Sequence, residues 1–101
     1  MTIELSGEDR LLTVRMDGEL DHRYAEYVRK SVEKEIRRTG AQNIAFDFSG
    51  VSFMDSSGIG LIMGRFKTVS HLGGKIILYG MNKNIERIVK MAGIERIASI
   101  Y

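Results

Sequence analysis

The sequence contains no cysteine, no proline and no tryptophan, and only two histidines, His22 and His71. Without cysteine there can be no disulfide, no thiol nucleophile and no thiolate metal site. Two imidazoles are a thin basis for anything else, so neither a metal nor a cofactor is expected. The missing prolines remove the residue that breaks helices and central strands, which suits a chain of regular elements. No apolar run approaches the length of about 20 residues that crosses a bilayer. The opening stretch MTIELSGEDR carries no signal-peptide pattern. A cytoplasmic location without membrane contact is the expectation. The net charge is only +2, and the bases are interleaved with acids rather than gathered in one segment, so nucleic-acid binding is not expected either. What remains is a chain of 101 residues, 44% hydrophobic and 28% charged. Those values predict one domain over residues 1–101, able to bury a core without staples.

Hydrophobic periodicity divides the chain into alternating elements. Ile3 and Leu5, within 2–6, and then Leu12, Val14 and Met16 alternate in the manner of a β-hairpin, with Gly7, Glu8 and Asp9 between the two runs. Residues 17–21 read as a turn that delivers Asp21 as the N-cap of a first helix. Ala25, Val28, Val32, Glu35 and Ile36 trace the stripe of that helix, Arg37 and Arg38 oppose the negative pole at its end, and Gly40 stops it. Further on, the unbroken run Ile76, Ile77 and Leu78 predicts a strand covered on both sides. Asn82 is placed to cap a last helix with Ile85, Ile88, Val89 and Ala92 inward, Gly93 ends it, and 97–100 reads as a final strand. The order hairpin, helix, strand, helix, strand, helix, strand predicts an α/β domain with a mixed β-sheet of 4–5 strands and parallel pairings made by crossovers.

The stretch from Asn43 to Leu72 organises the rest. Ile44, Phe46 and Phe48 alternate as a strand, Ser49 and Gly50 read as a short turn, and a polar knot of Asp55, Ser56, Ser57 and Gly58 opens a helix. Such a junction needs side-chain oxygens for the first unpaired N–H groups of the helix, and Asp-Ser-Ser offers three candidates in a row. At about 100° per residue the core face of this helix centres on Ile59, Met63, Phe66 and Ser70, with Leu61 nearly opposite and Gly60 and Gly64 together on one flank. A glycine inside a helix costs roughly 1 kcal/mol relative to alanine, so two at a four-residue interval point to close approach of another surface. That surface is either another part of the domain or a partner docking on Gly60, Leu61 and Gly64.

Several chemistries can be weighed against these residues. Asp21, His22 and Ser56 contain the components of a nucleophile, base and orienting carboxylate. The Gly-x-Ser-x-Gly elbow is absent, however, and both histidines read as solvated residues near helix ends. Gly58, Gly60 and Gly64 match neither a Gly-Lys-Ser/Thr ending nor Gly-x-Gly-x-x-Gly. Asp47, in the central strand, resembles a phosphoacceptor aspartate only if acids for Mg²⁺ and a lysine gather around it. A serine at a helix start is well placed for phosphorylation, because the helix N-terminus tolerates an added charge of about −1.5 to −2. On these residues alone, Ser56 and Ser57 are either caps or a modification site.

GELDHRYAE at 18–26, SFMDSSGIGLIMGRFK at 52–67 and the later Gly73-Gly74 resemble the STAS-domain anti-sigma-factor antagonists of bacteria, most closely the sporulation branch that acts on the anti-sigma F factor. The resemblance spans nearly the whole chain. It implies the STAS-type fold, with about three to four helices packed mainly on one face of the sheet. It also implies a protein that is not an enzyme and works by partner switching. The unphosphorylated form would bind an ATP- or ADP-bound anti-sigma factor that is also a serine kinase, releasing a sporulation sigma factor. The kinase would then phosphorylate Ser56, with Ser57 secondary, and a PP2C-type phosphatase would reset the switch. Asp21 would meet a basic residue of the kinase, and His22, Asp55, Ser57, Gly58, Ile59, Gly60 and Leu61 would share the interface. A monomer is expected. The alternative from another class is a nucleotide-binding or weak NTPase STAS domain, motivated by the glycine-rich helix start.

Overall fold

The computed structural model describes residues 3–101. Strands β1 (Ile3–Glu8) and β2 (Leu11–Leu20) are followed by α1 (His22–Thr39), β3 (Asn43–Met54), α2 (Ser56–Ser70), β4 (Ile76–Tyr79), α3 (Lys83–Met91), a 3-10 turn (Ile94–Arg96) and β5 (Ala98–Ile100). The sheet runs β1-β2-β3-β4-β5 in spatial as well as chain order. β1 and β2 pair antiparallel, and the other three pairings are parallel. The mixed sheet of five strands and three helices agrees with the expected architecture. Of the expected first strand, Thr2 lies outside the described residues.

Parallel register places matching residues side by side across the sheet. Leu12, Ile44, Ile76 and Ala98 form one row, and Val14, Phe46, Leu78 and Ile100 the next. The first three members of each row are at most 1% exposed. They join Val28, Val32, Ile62, Val69, Ile85 and Val89 of the helices in one apolar cluster. Full burial of each such side chain contributes roughly 1.5–3 kcal/mol, so these rows hold the layers together. The opposite face carries a polar row instead, Glu4, Arg15, Asp47 and Tyr79, with Arg15 4.0 Å from both carboxylates. The expectation that β4 is covered on both sides is therefore corrected. Ile76 and Leu78 are buried while Ile77 and Tyr79 are only half-buried, since the helices cover one face and the other is shielded only by neighbouring strands.

Two expected turns are absent because the strands absorb them. β2 and β3 remain paired up to Leu20 and Met54, with register shifts between Arg15 and Asp17 and between Gly18 and Glu19. Each shift lets β3 carry one residue more than its partner, which bends and twists the pair. Glycine makes this possible. A Cβ at Gly50 would stand 2.9 Å from Met16 O and from Asp17 Cβ, and Gly18 has φ of 87°. The hairpin turn also sits later than expected, since Gly7 pairs with Leu12 inside the ladder. The turn is formed by Asp9 (φ 53°) and Arg10 (φ 64°). Two successive left-handed residues are the geometry that matches strand twist.

Candidate functional site

The parallel strands β2, β3 and β4 each end by delivering a helix, so three helix N-termini lie at one end of the sheet. Each carries a side-chain cap. Asp21 Oδ1 accepts from Tyr24 N at 2.9 Å, Asp55 Oδ1 from Ser57 N at 2.8 Å, and Asn82 Oδ1 from Ile85 N at 2.8 Å. Cross-links tie these junctions together. Asp55 N donates to Leu20 O (3.4 Å) and Asn82 Nδ2 to Ser52 O (3.4 Å), while Asp17 N donates to the Oη of buried Tyr24 (3.0 Å). Open parallel sheets bind their ligands at this end, beyond the carboxyl ends of the strands.

Of the three candidate caps in the Asp-Ser-Ser knot, only Asp55 makes the cap bond. Ser56 is the first residue of α2 and is exposed, and its hydroxyl makes no hydrogen bond among the described residues. Ser57 is half-buried and turns toward α1. There it lines a groove of about 250 Å³ with His22, Ala25, Glu26, Arg29, Gly60 and Leu61. The Asp21 carboxylate is half-exposed above the start of α1, and His22 is exposed beside it.

The phase of α2 differs from the expected one by roughly a third of a turn. Gly58, Leu61, Ile62, Arg65 and Val69 are buried, whereas Met63 is 46% exposed and Ser70 is exposed. Leu61, expected to point outward, is 4% exposed and forms part of the floor between α1 and α2. Gly58 is likewise internal, because a Cβ there would fall 2.3 Å from Met54 Cγ and 3.1 Å from Leu20 Cδ2. The outward face is Ser56, Ile59, Gly60, Met63 and Lys67, at helical spacing. Internal packing does not account for the other two glycines, since a Cβ at Gly60 or Gly64 would meet nothing within 4 Å. Gly60→Ala should therefore raise stability by about 0.5–1 kcal/mol in urea unfolding. A loss of stability would show that something in the chain does occupy that space.

Arg65 escaped the sequence reading because an arginine inside an apolar stripe looks like a surface residue. It is 6% exposed, and its Nη2 donates to Glu33 Oε1 of α1 at 2.9 Å, while Nε and Nη1 find no partner among the described residues. Burial pulls its pKa below the ordinary guanidinium range, and the Glu33 carboxylate opposes that pull. Glu33 also accepts from Arg29 Nη1 (3.0 Å), and Arg29 pairs in turn with Glu26, whose carboxyl it holds below the usual range through their hydrogen bond. The Arg65–Glu33 pair fastens α2 to α1 one turn beyond the groove, and Arg29 and Glu26 carry the chain of charges into the groove wall.

Asp47 faces the polar side of the sheet, away from the helices. Burial alone would raise its pKa, but hydrogen bonds from Ser49, together with Arg15 and Tyr79, bring it below the usual carboxylate range. Its Oδ1 accepts from Ser49 N at 2.9 Å, so it stabilises the strand bulge. No group of three or more acids and histidines able to hold a metal occurs among the described residues. Nor is any described helix long and apolar enough to cross a membrane.

The STAS domain family model matches residues 2–101 of this chain. The chain belongs to the STAS domain family. Within that family it is similar to an anti-sigma F factor antagonist of Paenibacillus polymyxa, 35% identical over 101 residues that cover 100% of this chain and 86% of the relative. The phosphorylated Bacillus cell fate determinant SpoIIAA shares the fold with a TM-score of 0.78 and 28% identity, covering 99% of this chain and 91% of that one. An anti-sigma factor antagonist assigned from Thermotoga maritima matches with a TM-score of 0.89 at 27% identity, over 98% of this STAS chain and 85% of the other.

Proposed function

We propose that this STAS domain is an anti-sigma-factor antagonist of the sporulation type, a cytoplasmic binding protein without catalysis of its own, switched by phosphorylation of Ser56. In its unmodified form it binds an anti-sigma factor that is also a serine kinase, and so frees the sigma factor. The kinase then transfers the γ-phosphoryl of ATP to the Ser56 hydroxyl, the complex separates, and a PP2C-type phosphatase hydrolyses the phosphoserine. The observation that carries the reading is the division of labour at the start of α2. Asp55 caps the helix, which leaves the exposed Ser56 hydroxyl with no structural task.

The electrostatics support a change of surface without a change of fold. A phosphoserine dianion at the first helical residue meets the positive end of the helix, an interaction worth about 0.3–1 kcal/mol. It also stands next to the Asp55 carboxylate, which offsets part of that gain. A partner surface fitted to a hydroxyl would face a bulky group of the wrong charge. In this reading Asp21 and His22, at the start of α1, and Ile59 and Gly60, on the outward face of α2, complete the contact surface. Ser57, Gly58 and Leu61 support it from beneath.

Incubation with the anti-sigma F factor of Paenibacillus polymyxa and ATP, followed by mass-spectrometric mapping, tests the proposal. One phosphate on Ser56 is expected, with Ser57 as the minor site. Incorporation elsewhere would overturn it. Nucleotide turnover by this chain alone, with no phosphate retained, would favour the nucleotide-binding reading instead.

A further inference from the structure

The groove between α1 and α2 is walled by Glu26 and Arg29 on one side and by Ser57, Gly60 and Leu61 on the other. Arg29 is held there from two directions. Its Nε and Nη2 donate to the two oxygens of Glu26, and its Nη1 donates to Glu33 Oε2 at 3.0 Å. A guanidinium carries five N–H donors in a rigid fork, so two are left without a partner among the described residues, on a side chain that is 36% exposed. Glu33 is fixed in its turn, because its other oxygen accepts from Arg65 Nη2 at 2.9 Å. Arg65 is a poor choice for stability. Its buried Nε and Nη1 have no partner among the described residues, and a buried ion pair replaced by packed apolar side chains is often neutral or more stable.

The same walls state what the groove can receive. At about 250 Å³ it falls below the roughly 300–1,000 Å³ of small-molecule sites. Glu26 and Glu33 cancel Arg29 and Arg65 in formal charge, and an approaching carboxylate would stand beside two carboxylates of like sign. A neutral acceptor suits the two open donors better. A Cβ at Gly60 would meet nothing within 4 Å, which leaves the space that close approach of a second main chain needs. The groove also adjoins the switch, since Ser57 in its wall is the next residue after Ser56.

We infer that Arg29 is a contact residue for the anti-sigma factor, donating its two open N–H groups to main-chain carbonyls of a partner segment laid across Gly60, and that buried Arg65 is the positioning residue that sets this donor through Glu33. The inference rests on the antagonist reading and adds to it one contact residue, one positioning residue and the chemistry of the group they meet. Two carboxylates immobilise Arg29 before the partner arrives, so binding costs little of the side-chain freedom that an unrestrained arginine would lose. Removal of Arg65 frees one end of Glu33, and that advantage goes with it.

The test is a calorimetric titration of the purified anti-sigma F factor of Paenibacillus polymyxa with wild type, Arg29→Ala, Gly60→Ala, Arg65→Met and the double variant Arg29→Ala/Arg65→Met, with thermal midpoints recorded alongside. Arg29→Ala should raise Kd by at least about tenfold. The factor should be nearly the same at about 50 mM and about 500 mM salt, whereas a factor that shrinks with salt identifies a carboxylate and overturns the main-chain assignment. Gly60→Ala should raise Kd by at least about fivefold while raising the thermal midpoint of the free protein. Arg65→Met should weaken binding by at least about threefold beside Arg29 and leave Kd unchanged in the Arg29→Ala background. Equal factors in the two backgrounds make Arg65 merely structural and overturn its positioning role. That comparison stays decisive if Arg65→Met lowers the midpoint, because a loss of fold acts in both backgrounds. Wild-type binding together with an unchanged Kd for Arg29→Ala overturns the contact and leaves the antagonist reading standing. If Arg29→Ala instead lowers the midpoint sharply, Gly60→Ala decides, and an unchanged Kd there overturns the contact equally. No binding by wild type overturns the antagonist reading itself, and this inference with it.

Discussion

Ser56→Asp should weaken binding to the anti-sigma F factor by about a hundredfold while moving the thermal midpoint by no more than about 3 °C. The two halves of this expectation come from different neighbours. Within the chain, a carboxylate at the first residue of α2 gains from the helix dipole and loses to Asp55, and the two effects are of similar size. In the proposed complex the new charge would meet a surface fitted to a hydroxyl, with no such compensation. Juxtaposed like charges or a newly buried unpaired charge cost several kcal/mol. Each increment of about 1.4 kcal/mol is a factor of ten in Kd. Ser56→Ala should bind with nearly wild-type affinity and accept no phosphate at that position. Calorimetric titration and differential scanning calorimetry on the same three proteins suffice. Equal affinity for wild type and Ser56→Asp would remove Ser56 from the switch, and a fall of more than about 8 °C would make it a structural residue.

The largest effect on stability is expected far from that surface. Gly74→Ala should cost at least about 3 kcal/mol, visible as an early transition in urea and a midpoint lowered by more than about 10 °C. A Cβ at Gly74 would lie 1.6 Å from Gln42 O, 2.6 Å from Gln42 C and 3.2 Å from Val69 O, all backbone atoms that no rotamer change can clear. Gly74 N donates to Val69 O at 2.7 Å, Lys75 N donates to Asn43 Oδ1 at 2.9 Å, and Ile44 N donates to Lys75 O at 3.0 Å. Moving Gly74 therefore pulls on the end of α2 and on the entry of both β3 and β4. Its neighbour provides the control. Gly73 has φ of 75° and open space around its Cβ position. Gly73→Ala therefore carries only the left-handed cost, roughly 1–2 kcal/mol. Similar losses for the two variants would mean that conformation, and not the clash with Gln42, governs this corner.

Where the sequence reading held, local chemistry and tertiary packing pointed the same way. The Asp21, Asp55 and Asn82 caps sit at the predicted helix starts because a short oxygen-bearing side chain before an apolar stripe has few other uses. The alternation in β2 and β3 gave the correct inward sets, since only one face of this sheet is covered. The phase of α2 was not recoverable in the same way. That helix packs on the sheet and on α1 at once, it has Ile59 and Met63 on its outer face, and it buries Arg65 against Glu33. With apolar residues on both sides and a charge inside, a single-stripe argument rotates the helix and turns Leu61 outward.

The sequence by itself determined the order of elements, the caps and the position of a hydroxyl at the head of α2, because each depends on residues within a few positions of one another. Only the tertiary structure decided that Leu61 and Gly58 face inward, that Phe53 and Met63 remain in solvent, and that Gly74 has backbone pressed against it. These depend on which surface each element is laid against. Contacts between residues distant in the chain set that choice, and no periodicity within one segment encodes them.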